Sequence, residues 1–66
     1  MGTIMTQFIS EYKGQDKTAE VILNNGVWGC NFYKGNELIK TELYEGHSES
    51  YAEDAAENYT LGVKQL

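Results

Sequence analysis

The chain predicts an α+β fold: a four-stranded antiparallel β-meander followed by one C-terminal α-helix packed on one sheet face. Three observations carry this expectation. "NNG" at Asn24–Gly26 and "KGNE" at Lys34–Glu37 are both tight-turn signals between apolar alternating runs. The registers that these two turns impose agree with each other. After Tyr44 the hydrophobic period changes from two to that of a helix.

The first strand is read from "TQFISEY", ending at Tyr12, with "KGQDK" as the loop that returns it beside Thr18–Asn24. Its register is open: one choice buries Phe8 and Tyr12, the other Met5 and Ile9. The first is preferred because it leaves Glu11 outside. Met1 to Thr3 are expected to fray. For the next three strands, a two-residue turn at Asn25–Gly26 pairs Leu23 with Trp28, Val21 with Cys30 and Ala19 with Phe32. A two-residue turn at Gly35–Asn36 pairs Phe32 with Ile39, Cys30 with Thr41 and Trp28 with Leu43. Both place Trp28, Cys30 and Phe32 on one face of the middle strand. That face becomes an almost wholly apolar set of Ala19, Val21, Leu23, Trp28, Cys30, Phe32, Ile39, Thr41 and Leu43. The opposite face is mixed, with Glu20, Asn31, Lys40 and Glu42 toward its middle. Lys40 is expected opposite Asn31, and Glu42 opposite Gly29. This is the pattern of a sheet with one face on a core.

The helix follows the break "EGHS", with Ser48 or Ser50 as its N-cap; Ser50 with Glu53 matches a capping box. Tyr51, Ala55 and Tyr59, flanked by Ala52 and Ala56, form its apolar stripe, and Gly62 is placed to end it in a left-handed conformation. The alanines allow the helix backbone close to the sheet, over Trp28 and Phe32. Burying either ring contributes on the order of 2–3 kcal/mol.

Sixty-six residues make a single small domain, 1–66, with little stability to spare. Cys30 is the only cysteine, so no disulfide forms within one chain. With His47 the only histidine, a zinc site lacks ligands. Self-association is left as the staple that a small domain needs. Ten carboxylates against five lysines and no arginine give a net charge of −5. That balance argues against direct nucleic-acid binding and against anionic membranes. No apolar run reaches the length of a membrane span, and no signal peptide is apparent. A single cysteine suits a reducing cytoplasm. The myristoylation pattern at Gly2 and the sequon at Asn58 are short enough to arise by chance.

Candidate chemistry is sparse. His47 could act as a base or ligand at the helix start, but no nucleophile or second acid is placed beside it, and a polar loop residue explains it as well. Cys30 alternates with Trp28 and Phe32 and reads as a small core hydrophobe rather than a reactive thiol. The carboxylates lack the spacing of a calcium loop. No catalytic, cofactor-binding or metal-ligating residue is assigned, and no cofactor is expected. Two surfaces remain. Ile22, Val27, Tyr33, Leu38 and Tyr44 are expected on the sheet face without the helix, with Val27 opposite Tyr44 and Tyr33 opposite Leu38. They form a candidate partner surface, or else aromatic packing that merely stabilises the sheet. Glu49, Glu53, Asp54 and Glu57 form an acidic alternative, either a docking surface or simply the solvated side of the helix.

The run "GHSESYAEDAAENYTLG" after "GVWGCNFYKGNELIKTELYEG" resembles small uncharacterised proteins from tailed phages of marine cyanobacteria. The matching positions are Ser48, Tyr51, Ala52, Glu53, Asp54, Ala55, Ala56, Glu57, Asn58, Tyr59 and Gly62. The resemblance spans about two-thirds of the chain, from Val27 on. It implies a phage origin and expression in a bacterial cytosol, and it carries no chemistry residue by residue. The reading is a non-enzymatic interaction protein, plausible as a phage accessory factor that binds a host or phage protein or a second copy of itself. The alternative is an acidic nucleic-acid mimic that inhibits a DNA- or RNA-binding protein. A small enzyme is the third, for which no constellation is found.

Overall fold

The computed structural model describes residues 6–66. Four strands, β1 (Thr6–Lys13), β2 (Lys17–Asn24), β3 (Val27–Lys34) and β4 (Glu37–Leu43), form one antiparallel sheet in the order β1-β2-β3-β4. One helix, α1 (Glu49–Thr60), follows and packs on the sheet. This is the α+β meander that the turn signals predict. Expectations for Met5, Gly2 and Met1 to Thr3 lie outside the described residues.

The β2–β3 hairpin follows its turn chemistry. Asn25 and Gly26 both have positive φ, 52° and 83°, as a type I′ turn requires. Leu23 pairs with Trp28, Val21 with Cys30 and Ala19 with Phe32. In the next turn Gly35 alone has positive φ, which fits a type II′ geometry, and Tyr33 pairs with Leu38.

Both edge strands depart from the expected register, and each does so through an irregularity that adds one residue. In β4 the register shifts between Phe32 and Tyr33, so Phe32 pairs with Lys40, Cys30 with Glu42 and Gly29 with Leu43. The expected pairs Phe32–Ile39, Cys30–Thr41 and Trp28–Leu43 are therefore corrected, as are Lys40 opposite Asn31 and Glu42 opposite Gly29. A bulge exchanges the two faces beyond it. Thr41 and Leu43 turn away from the helix, and Lys40, Glu42 and Tyr44 turn toward it. Charged groups are tolerable there because α1 lies over β2 and β3, touches β1, and does not reach β4. In β1 the shift falls between Phe8 and Ser10. Tyr12 pairs with Ala19 and joins the margin of the core, while Phe8 pairs with Ile22 on the opposite face and is 59% exposed. The expectation that Phe8 and Tyr12 share the buried face is overturned, because the extra residue at Ile9 separates their faces.

The core is Ala19, Val21, Cys30 and Phe32 from the sheet against Ala52, Ala56 and Tyr59 from the helix. Trp28, Tyr12, Tyr44 and Ala55 pack around it, half-buried. The helix thus faces the sheet along Ala52, Ala56 and Tyr59. Tyr51, expected on that stripe, is rotated to the flank and about half exposed. Tyr59 packs edge-on against Phe32, centroids 4.8 Å apart, and its hydroxyl donates to the Tyr33 carbonyl at 3.0 Å. The Cys30 thiol donates to the Ala52 carbonyl at 3.1 Å.

Ser48 is the N-cap, with extended backbone and no side-chain capping bond, so the Ser50–Glu53 capping box does not form. At the other end Gly62 has φ +85°, its N–H donates to the Tyr59 carbonyl and the Val63 N–H to that of Asn58. These two bonds make a Schellman closure.

Candidate interaction surface

Among the described residues no element covers the sheet face opposite α1, and its side chains lie in transverse rows. Phe8, Ile22, Gly29 and Leu43 form one row across all four strands. Gly29 is a close-approach position. A Cβ there would run into the Glu42 carbonyl oxygen and fall 2.7 Å from Leu43 Cδ2, so the Leu43 side chain leans over it. Ile22, on β2 beside Gly29, is only 4% exposed although α1 lies on the other face. Phe8 and Leu43, 59% and 48% exposed, flank it as an apolar bar.

The next row is polar: Glu11, Glu20, Asn31 and Thr41. Glu20 Oε1 accepts from Asn31 Nδ2 at 3.3 Å and from the Tyr33 hydroxyl at 3.1 Å. Thr41 donates to Asn31 Oδ1 at 2.6 Å. Glu11 and Glu20 are directly opposed like charges, an unfavourable pair. Lys13 stands 3.9 Å from Glu11, and Asn31 and Tyr33 donate to Glu20, which offsets it. Burial, then the bond to Glu20, raises the Tyr33 pKa, so the phenol remains a donor. The last row holds Lys13, Thr18, Tyr33 and Leu38.

Of the residues expected on this face, Ile22, Val27, Tyr33 and Leu38 are there, and Tyr33 is opposite Leu38 as anticipated. Tyr44 is not. Its N–H bonds the Trp28 carbonyl at 2.7 Å, and its ring meets Tyr51 of the helix edge-on at 5.0 Å. The expected Val27–Tyr44 pair is therefore corrected; the bulge moved Tyr44 to the helix side. Phe8 and Leu43, expected in the core, are members of this surface, because turn chemistry carries no signal for a bulge two or more residues away.

Tyr44 belongs instead to a polar group between β4 and the C-terminal segment. Its hydroxyl donates to Glu42 Oε1 at 2.6 Å, and Lys40 and Lys64 each lie 3.3 Å from the same carboxylate. Burial pushes the Glu42 carboxyl up, but these three donors outweigh it and hold the pKa below the usual glutamate value. Burial followed by the bond to Glu42 raises the Tyr44 pKa strongly. Burial likewise pushes the Cys30 thiol up to about 11, so it stays protonated at neutral pH. His47 is exposed and stacks on Tyr51, centroids 3.9 Å apart. Among the described residues no cluster of His, Cys, Asp or Glu could hold a metal ion.

The acidic alternative lies on the helix. Among the described residues, Glu49, Glu53, Asp54 and Glu57 form no ion pair with a lysine. The adjacent Glu49 carboxylate, more than burial or the Asp54 charge, raises the Glu53 pKa. Burial and then this row of carboxylates raise the Tyr12 pKa on adjacent β1.

Among the described residues no helix is long and apolar enough to cross a membrane. Comparison with protein-family models, with curated proteins and with solved structures finds no match. The functional reading therefore rests on the surface itself.

Proposed function

We propose that this chain is a non-enzymatic protein-interaction module whose contact surface is the open face of its sheet. The observation that supports the reading is the Phe8–Ile22–Leu43 bar, an apolar row spanning all four strands on the face that the helix leaves bare. Exposed apolar groups scattered singly need no explanation, whereas a contiguous row bordered by polar groups is how a contact surface is built. The phage resemblance adds a setting: an accessory protein in a bacterial cytosol that binds a host or phage protein.

The unpaired carboxylates Glu49, Glu53, Asp54 and Glu57 favour a second reading, an acidic mimic that occupies the site of a nucleic-acid-binding protein. Affinity capture from bacterial lysate separates the two. The wild-type chain is compared with Leu38→Glu on the sheet face and with a Glu49→Lys, Glu53→Lys, Glu57→Lys variant of the helix. Loss of the captured protein with Leu38→Glu alone supports the sheet face. Loss with the helix variant alone, together with strong salt sensitivity, supports the mimic and sinks the first reading.

A further inference from the structure

We infer that the open sheet face docks on the same face of a second copy, about a two-fold axis that runs parallel to the strands. This rests on the sheet face being the contact surface and names its occupant. A two-fold axis lying between two stacked sheets and parallel to their strands sets β1 over β4 of the other copy and β2 over β3. Each transverse row then meets itself in reverse order. Phe8 faces Leu43 of the second copy, and Leu43 faces its Phe8. Ile22 faces Gly29 where the other Leu43 leans across it. In the polar row Glu11 faces Thr41 and Glu20 faces Asn31, so no carboxylate meets a carboxylate.

The perpendicular two-fold axis does worse. It lays every strand over its own copy. Centred on the polar row, it sets Glu11 on Glu11 and Glu20 on Glu20; centred on the Phe8–Ile22–Leu43 row, it leaves the row of Lys13, Thr18, Tyr33 and Leu38 uncovered and buries less. Like charges meeting across an interface oppose docking strongly. The row order therefore selects one symmetric arrangement, and a self-complementary patch is what an isologous dimer requires.

The area is adequate for a weak dimer. Three strands of 8 residues and one of 7 give a face roughly 26 Å long at ~3.3 Å per residue and ~19 Å wide at ~4.8 Å per strand. That is about 500 Å² per copy, or roughly 1,000 Å² in all, at the small end of specific interfaces. Stacked sheets lie ~10 Å apart, a gap that the exposed Phe8 and Leu43 side chains together can fill.

Light scattering and sedimentation equilibrium at tens of micromolar test the inference with Phe8→Lys and Leu43→Glu. Phe8 and Leu43 sit on opposite edge strands of one chain, so only a second copy brings them together. The wild type is expected to be dimeric. Each variant alone, with an unchanged circular dichroism spectrum, should be largely monomeric, its dissociation constant raised tenfold or more. An equimolar mixture of the two variants should recover dimer, because each mixed pair regains one Phe–Leu contact and one Lys–Glu contact. A monomeric wild type overturns the inference; if Leu38→Glu still abolishes capture of another protein, the interaction-module reading survives it. A dimer that neither substitution weakens overturns the inference, and the Leu38→Glu capture result again decides the interaction-module reading separately. Monomeric variants that recover no dimer on mixing overturn the proposed axis.

Discussion

Ser10 shows how a single side chain can be wrong for its place and still be kept. Beyond the β1 irregularity it pairs with Val21 on the core face, and its hydroxyl is buried without a hydrogen-bond partner among the described residues. Leaving such a group unsatisfied costs about 1–3 kcal/mol, while removing it leaves only a small void. Ser10→Ala is expected to raise the melting temperature by several degrees, measured by circular dichroism. Glu42 is the opposite case, a charge kept because it is fully engaged. Its folded pKa lies below the unfolded value, so its contribution is present above the unfolded pKa of ~4.3 and is lost as pH falls through the folded one. Glu42→Gln should be less stable than wild type at pH 7. The gap between the two proteins, measured by urea unfolding, should narrow steadily below pH 5; a constant gap down to pH 2.5 would remove the proposed role of the charge.

At the scale of elements, the two ends of α1 are held differently. The N-terminus has an uncapped serine and a row of mutually repelling carboxylates, relieved in part by the helix dipole. The C-terminus is closed by Gly62 and locked against the β1–β2 loop. A Cβ on Gly14 would run into the Thr60 carbonyl oxygen, so the loop passes against bare backbone. Gly62→Ala meets open space but a positive φ, and should cost about 1 kcal/mol. Gly14→Ala must push the loop off the helix and should cost more. Hydrogen exchange should show the difference: Gly62→Ala loosens only the last helical turn, whereas Gly14→Ala also exposes amides at the start of β2.

The whole molecule is small enough that one core side chain decides whether it folds. Phe32 is fully buried between Tyr59, Ala52 and Ala56 of the core cluster, while Trp28 is only half-buried at its margin. A Phe-to-Ala truncation in a core costs about 3–5 kcal/mol, comparable with everything a domain of this size has. Phe32→Ala is expected to be unfolded at 25 °C by far-UV circular dichroism. The net charge of −5 acts at the same scale. Raising sodium chloride from 10 mM to 0.3 M should raise the melting temperature, since it screens the Glu49–Glu53–Glu57 row and the Glu11–Glu20 pair more than it weakens the few ion pairs.

Local chemistry alone determined the meander, the β2–β3 register, the helix and its glycine stop. Asn25–Gly26, Gly35–Asn36 and Gly62 need particular backbone angles, and the apolar alternation through Val21, Cys30 and Phe32 leaves one face for a core. Only tertiary structure decided the edge strands. An added residue near Ile9 and another near Ile39 cost little locally, and their benefit appears only when distant groups meet. The β4 shift brings Tyr44 to Tyr51 of the helix and Glu42 to Lys64 of the C-terminal segment, and it turns Leu43 outward over Gly29. The candidate surface was therefore half legible. Ile22, Val27, Tyr33 and Leu38 follow from turns close to them, whereas Phe8, Leu43 and the loss of Tyr44 depend on bulges that no local pattern announces.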